Sequence, residues 1–273
     1  SGILSNKYGY IKLSNFTKDA SKEMHDKLIE LKNNNIEGLI IDLRDNPGGL
    51  LIEAVKIANL FLSKNNEIVS IKGRIQQWNK TYYTEEEPLD TLLPIVILVN
   101  KNTASASEIL AGSLQDYDRA VIVGEKTFGK GLVQTTRQLG YNTQLKITTS
   151  RYYIPSGRCI QKIDYSGNKE IEKKAFKTKN GRTVYDAGGI TPDISYSLEN
   201  YHDVVLALIN NDFIFNFATY YLLLNKNQKI IFTEVNDSIF NIFLNYCISN
   251  KFDYNTQTYN KLNELIFASI KDD

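Results

Sequence analysis

Three short apolar runs constrain this chain more than anything else in it: Gly38-Leu-Ile-Ile-Asp-Leu43, Pro94-Ile-Val-Ile-Leu-Val99 and Arg119-Ala-Val-Ile-Val-Gly124. Each has the length of a strand and too little polar alternation for a strand with one wet face, so each reads as a buried strand. Amphipathic stretches at helical spacing separate them, from Thr17 to about Lys32 and from Leu50 to Ser63, and another runs to about Asp116. Strands alternating with helices predict an α/β core containing parallel strands. Each run is also followed by a loop of small or glycine-rich residues: Asn46-Pro-Gly-Gly49, Thr103-Ala-Ser-Ala-Ser107 and Gly124 to Gly131. Open α/β sheets bind ligands beyond the carboxyl ends of their strands. The three loops are therefore expected to converge on one site.

The rest of the chain sets limits on function. A strand is expected over Gly9–Leu13, a hairpin over Glu67–Tyr83 and alternating strands from Leu132 to Tyr153, followed by a polar, basic excursion over 161–182. From about residue 201 the character turns helical and rich in Phe and Tyr, which divides the chain into a core, 1–200, and a helical extension, 201–273. A formal net charge of +1 and the lack of dense basic clusters argue against a nucleic-acid partner. No apolar run reaches the roughly 20 residues that span a bilayer. The start, Ser1-Gly2, has no initiator Met and is read as belonging to a longer protein. Cys159 and Cys247 lie far apart without metal-like spacing, and no His/Cys/Asp cluster suggests a metal, so neither metal nor cofactor is expected.

The chemistry rests on one serine. Ser105-Ala-Ser-Glu108 fits a helix capping box, with Ser105 at the cap and Glu108 three residues in. By itself that is only a cap. The same turn would, however, project the Ser105 hydroxyl outward while the next amides face a developing oxyanion. A hydrolytic serine needs a base, and the two histidines, His25 and His202, lie on none of the three loops. Lys130 does, between two glycines. A lysine is normally protonated at neutral pH, and burial beside apolar walls can make its amine available as a base. Gln134, four residues on, lies about 13 Å away along a straight strand. It supports Lys130 only if the glycine turn curls the chain. Gly49, lacking a Cβ, could offer a second oxyanion amide.

The segments GLIIDLRDNPGG, VILVNKNTASASEILAGSLQDYDRAVIVGEKTFGKGLVQ, RYYIPSGRCIQ and GGITPDI together resemble the carboxyl-terminal processing (tail-specific) proteases, peptidase family S41, over roughly residues 8–196. The resemblance implies a crotonase/ClpP-like α/β core with a mixed, partly parallel sheet, plus a helical C-terminal extension. The PDZ domain that usually precedes such a core is absent from this chain. It implies Ser105 rather than Ser107 as nucleophile, Lys130 as general base, Gln134 as its support, and the amides of Gly49 and Ala106 as the oxyanion hole. The implied activity is that of a serine endopeptidase acting near apolar C-terminal tails, with protein or peptide substrates and an activating adaptor, in the bacterial periplasm or envelope.

Two rival readings fit parts of the same sequence. Gly124-Glu-Lys-Thr-Phe-Gly-Lys130 approaches a phosphate-binding loop, but Gly131 stands where Ser or Thr is needed and a strand-like stretch follows. An inactive S41-like scaffold binding apolar ligands or peptides would be expected to have lost Ser105 or Lys130. Both are present.

Overall fold

The computed structural model describes residues 1–5, 7–162, 173–186, 188–196, 202–225 and 235–253. The chain divides into two compact units, Ser1–Ser197 and Leu198–Asp273. In the first unit β1 (Gly2–Leu4) and β2 (Tyr8–Lys12) lead into α1 (Ala20–Asn33), then β3 (Gly38–Asp42) and α2 (Leu51–Asn59). Next come β4 (Glu67–Gly73), β5 (Lys80–Tyr83), β6 (Ile95–Val99), α3 (Ala106–Asp116) and β7 (Val121–Gly124). The unit ends with β8 (Leu132–Gln138), β9 (Gln144–Tyr153), β10 (Ala175–Lys177), β11 (Thr183–Tyr185) and β12 (Ile194–Ser195).

The expected buried strands lie side by side. The main sheet has the order β1-β2-β3-β6-β7-β12 and is parallel except for β1, which returns antiparallel on β2. Parallel neighbours need crossover helices, and α1, α2 and α3 supply them. Their apolar stripes (Met24 and Leu28, Val55 and Ile57, Ile109 and Leu110) bury with Leu39, Ile41, Ile97 and Ile122 in one core. A second, antiparallel sheet has the order β5-β4-β9-β8, so the expected hairpin and the expected alternating strands form a single layer.

Helix α1 begins three residues later than its sequence pattern suggests. Ala20 N donates to the Thr17 carbonyl and Asp19 takes a left-handed φ of 70°, so 17–19 is a turn that sets the helix off from β2. Of the basic excursion, 163–172 lie outside the described residues, while β10 and β11 close an antiparallel hairpin at its far end. In the second unit α4 (Asp203–Asn210), α5 (Phe213–Leu224) and α6 (Asp237–Ser249) are helical. Phe217 of α5 packs edge-on against Phe243 of α6, with ring centroids 5.0 Å apart. No helix among the described residues is long and apolar enough to cross a membrane.

Candidate active site

The ends of β3, β6 and β7 are joined by hydrogen bonds that bring the three loops into one place. The Thr103 hydroxyl donates to the Leu43 carbonyl at 2.8 Å, and the Thr103 carbonyl accepts from Phe128 N at 3.0 Å. The Asn46 carbonyl accepts from Ala104 N at 3.0 Å and from the Ser107 hydroxyl at 3.1 Å. Asn46, Thr103 and Ser107 are all fully buried, so these bonds form away from competing water. Ser107 is thereby committed to structure, whereas Ser105, two residues earlier, is only half-buried.

Ser105 is the cap of α3 and has φ 59°, ψ −118°, a conformation that a non-glycine residue keeps only when its surroundings impose it. The surroundings are visible. Glu108 Oε2 accepts from Ser105 N at 2.9 Å, closing the backward arm of the capping box. The strained turn aims the side chain out of the helix end, where the Ser105 hydroxyl meets the Tyr152 hydroxyl at 3.2 Å. Burial holds the Tyr152 phenol above its ordinary pKa, so it stays protonated at neutral pH.

Gly48 and Gly49 occupy φ values of 100° and 147°, in the region that excludes a side chain. A Cβ on Gly48 would sit 2.7 Å from the Ala104 carbonyl oxygen and 2.8 Å from Ala106 N, and one on Gly49 would fall 2.3 Å from the Phe16 carbonyl oxygen. The glycine loop thus lies directly against the Ser105 turn. Gly48 N is spent on Asn46 Oδ1 at 2.9 Å, and Leu50 N on the Phe16 carbonyl at 2.8 Å. The amides of Gly49 and Ala106 have no acceptor among the described residues, which leaves two donors beside one hydroxyl.

The Lys130 loop reaches the same place through Glu108. This carboxylate is fully buried and accepts from the Thr127 hydroxyl at 2.5 Å, Gly129 N at 2.8 Å and Lys130 N at 2.9 Å, besides Ser105 N. Burial pushes the Glu108 carboxyl up, and the four donors oppose that shift. Ser105 N and Lys130 N share one oxygen, Oε2, so their separation cannot exceed twice 2.9 Å. No hydrogen bond joins the two side chains; the Ser105 hydroxyl is turned to Tyr152. Lys130 and Gln134 line one cavity of about 860 Å³, together with Phe128 and Leu132. The β8–β9 register shifts between Val133 and Gln134. A strand, β8, follows Gly131 where a phosphate loop would need a helix.

The sequence shows Glu108 only as a cap residue and Asn46 only as a residue of the glycine loop, and it does not point to Tyr152 as part of the site. The S-x-x-E spacing was the available signal for Glu108, and the unbroken R-Y-Y run the only one for Tyr152.

The parallel α/β core thus places a strained serine at the head of a buried helix, with the amides of Gly49 and Ala106 and the Lys130 loop beside it. Residues 7–170 match Peptidase family S41, and the chain belongs to that family. Residues 204–273 match the C-terminal helical domain described for a probable PDZ-protease. The carboxyl-terminal-processing protease of Synechocystis sp. is 41% identical over 165 residues, 60% of this chain and 38% of that protein. The carboxy-terminal-processing protease of Bartonella bacilliformis is 41% identical over 180 residues, 64% of this chain and 41% of that protein. The chain thus spans about two fifths of the length of these relatives. Among solved structures, the photosystem II D1 C-terminal processing protease superposes with a TM-score of 0.56 at 32% identity, over 70% of this chain and 43% of that one.

Proposed function

We propose that the protein is a serine endopeptidase with a Ser105/Lys130 dyad, cleaving proteins near apolar C-terminal tails. The core, 1–200, would carry the chemistry and the extension, 201–273, would be an appended helical domain. The observation that supports the dyad is the shared Glu108 oxygen, which keeps the backbones of Ser105 and Lys130 together. In this reading the Ser105 hydroxyl rotates from Tyr152 toward Lys130, and Lys130 Nζ accepts its proton as Oγ attacks the scissile carbonyl. The amides of Gly49 and Ala106 hold the oxyanion, and the proton passes from Lys130 to the leaving amine. Water then hydrolyses the acyl-enzyme. Gln134 steadies the lysine across the cavity they both line. An envelope location, as in the periplasm, and activation by an adaptor fit the family's role but belong to the same proposal.

The test is incubation of an unstructured, apolar-tailed protein with wild type, Ser105→Ala and Lys130→Ala. Wild type should cut it, and each variant should lose roughly 10⁴-fold in rate. A Lys130→Ala variant that keeps its activity would end the dyad assignment. Tight binding without cleavage would favour a scaffold instead.

A further inference from the structure

The cavity that Lys130 shares with Gln134 is ringed by three more lysines, Lys101, Lys126 and Lys162, and by no carboxylate among its described lining residues. That is unusual in a chain with 32 basic and 31 acidic residues. Elsewhere lysines find acids: Lys7 with Glu37, Lys27 with Glu30, Lys32 with Asp90, Lys56 with Glu53. None of the four around the cavity has an acidic partner among the described residues.

Two of them lie close against glycines of the cavity wall. Lys162 N donates to the Gly129 carbonyl at 3.0 Å, and a Cβ on Gly129 would come 2.6 Å from Lys162 Cβ, so this lysine is packed against the residue before Lys130. Lys126 Nζ lies over Gly188, where a Cβ would approach it to 2.6 Å. Burial first, and then the charges of Lys173 and Lys162, hold the Lys126 ammonium below its ordinary pKa. The like charges of Lys101, Lys126 and Lys162 around one concavity repel each other until an anion enters, and an anion there gains from all three at once. Phe128 and Leu132 on the same wall suit the apolar part of the ligand.

We propose that this cavity takes a carboxylate of the substrate, placed within a few residues of the cut bond, through Lys126 and Lys162. The inference rests on the peptidase reading and adds to it a preference for anionic substrates. Two sources carry the same chemistry: an acidic side chain, or the substrate's own terminal carboxylate.

The experiment separates both the sources and the two proposals. Four otherwise identical fluorescent apolar peptides carry Glu or Gln beside the cleavage position, each with a free or an amidated C-terminus. Binding is measured by anisotropy on the full chain carrying Ser105→Ala, so that cleavage plays no part, and kcat/KM on the chain with Ser105 intact. The anionic peptides should bind about tenfold tighter than the Gln, amidated one, and the advantage should shrink as salt is added. If the Glu arm carries it the ligand is a side chain; if the free terminus does, it is the chain end. In Lys126→Gln/Lys162→Gln the ratio should fall towards one, while Lys18→Gln/Lys64→Gln, the same change in net charge elsewhere, should preserve it. Equal binding of all four peptides, or a preference that survives loss of Lys126 and Lys162, overturns the proposal. Preferential binding without any cleavage leaves the carboxylate site standing and overturns the dyad.

Discussion

Ser105 and Lys130 approach each other from surroundings of opposite kind. Ser105 heads α3, in which every residue from Ala106 to Asp116 is buried, with its far end pinned by the buried Arg158–Asp116 ion pair at 2.8 Å. Lys130 leads into the β8–β9 ribbon, whose residues between Gln134 and Thr148 are almost all exposed. A close-packed helix cannot shift its first residue without disturbing the core. An exposed ribbon with few apolar contacts can move at little cost. Ser105 and the amides of Gly49 and Ala106 are therefore built into the rigid side, and Lys130 sits on the adjustable one. Glu108, a side chain from the rigid side, ties the two through Ser105 N, Gly129 N and Lys130 N.

The strongest way to break this contrast is to strain the rigid half. Gly48→Ala places a methyl 2.7 Å from the Ala104 carbonyl oxygen and 2.8 Å from both Ala106 N and Ser105 Cβ, at a φ of 100°. All three neighbours are backbone or next to it and none can swing away. The glycine loop must then retreat from the Ser105 turn, taking the Gly49 amide with it. Loss of an oxyanion donor costs about 10² to 10³ in kcat, and the strain should cost about 3 kcal/mol of stability. Peptidase assays and urea unfolding would measure both. A fall in stability with kcat unchanged would mean that the Gly49 amide takes no part.

The next largest effect should come from cutting the tie. Glu108→Gln keeps the shape but turns one acceptor oxygen into an NH₂ donor facing backbone N–H groups. The Lys130 loop should lose its seat while Ser105 stays in its packed turn, and a displacement of about 1 Å costs roughly 10² in rate. The pH dependence of stability gives a second reading. Burial raises the Glu108 pKa in the folded chain above that of the unfolded one. The folded state therefore holds more protons between the two values, and stability falls as pH rises through that window. The wild-type advantage over Glu108→Gln should accordingly shrink from the ordinary glutamate range upward and level off beyond the raised value. An advantage that grew with pH would show the four hydrogen bonds outweighing burial.

The same contrast explains what could be read from the sequence. The rigid half was legible because its signals are local: apolar runs for β3, β6 and β7, small residues after each, and S-x-x-E at the start of α3. Their convergence follows from the rule that parallel strands expose their carboxyl ends together. The connections between the halves were not legible. Glu108 reads as a cap partner, since nothing in its neighbourhood announces that Thr127, Gly129 and Lys130 will fold back onto its other lone pairs. Asn46 looks like an ordinary turn residue, and its side chain reaching the Leu13 carbonyl depends on β2 lying beside β3. Four strands were missed because they are too short to carry a period: β1, β10 and β11 have three residues each and β12 has two.

The smallest effect concerns a place where the adjustable sheet touches Ser105 directly. Tyr152 lies at the end of β9, is 6% exposed, and brings its hydroxyl to 3.2 Å from that of Ser105. In β9, Thr148 pairs with Gln134 and Ser150 with Val133, so Thr149 is the extra residue of a bulge that sets which face Tyr152 presents. In the proposed mechanism the bond to Tyr152 competes with the bond Ser105 would make to Lys130. A neutral hydrogen bond of this kind is worth about 1 kcal/mol net. Tyr152→Phe removes it and keeps the ring that fills the site, so the hydroxyl should become available more often and Ser105 acylation should speed up by about fivefold. Labelling by a serine-reactive fluorophosphonate, followed against time at fixed pH, reads that step without a peptide substrate. A tenfold slowing would reverse the assignment: Tyr152 would then be aiming the serine, and the adjustable half would contribute to the nucleophile's position as well as the base.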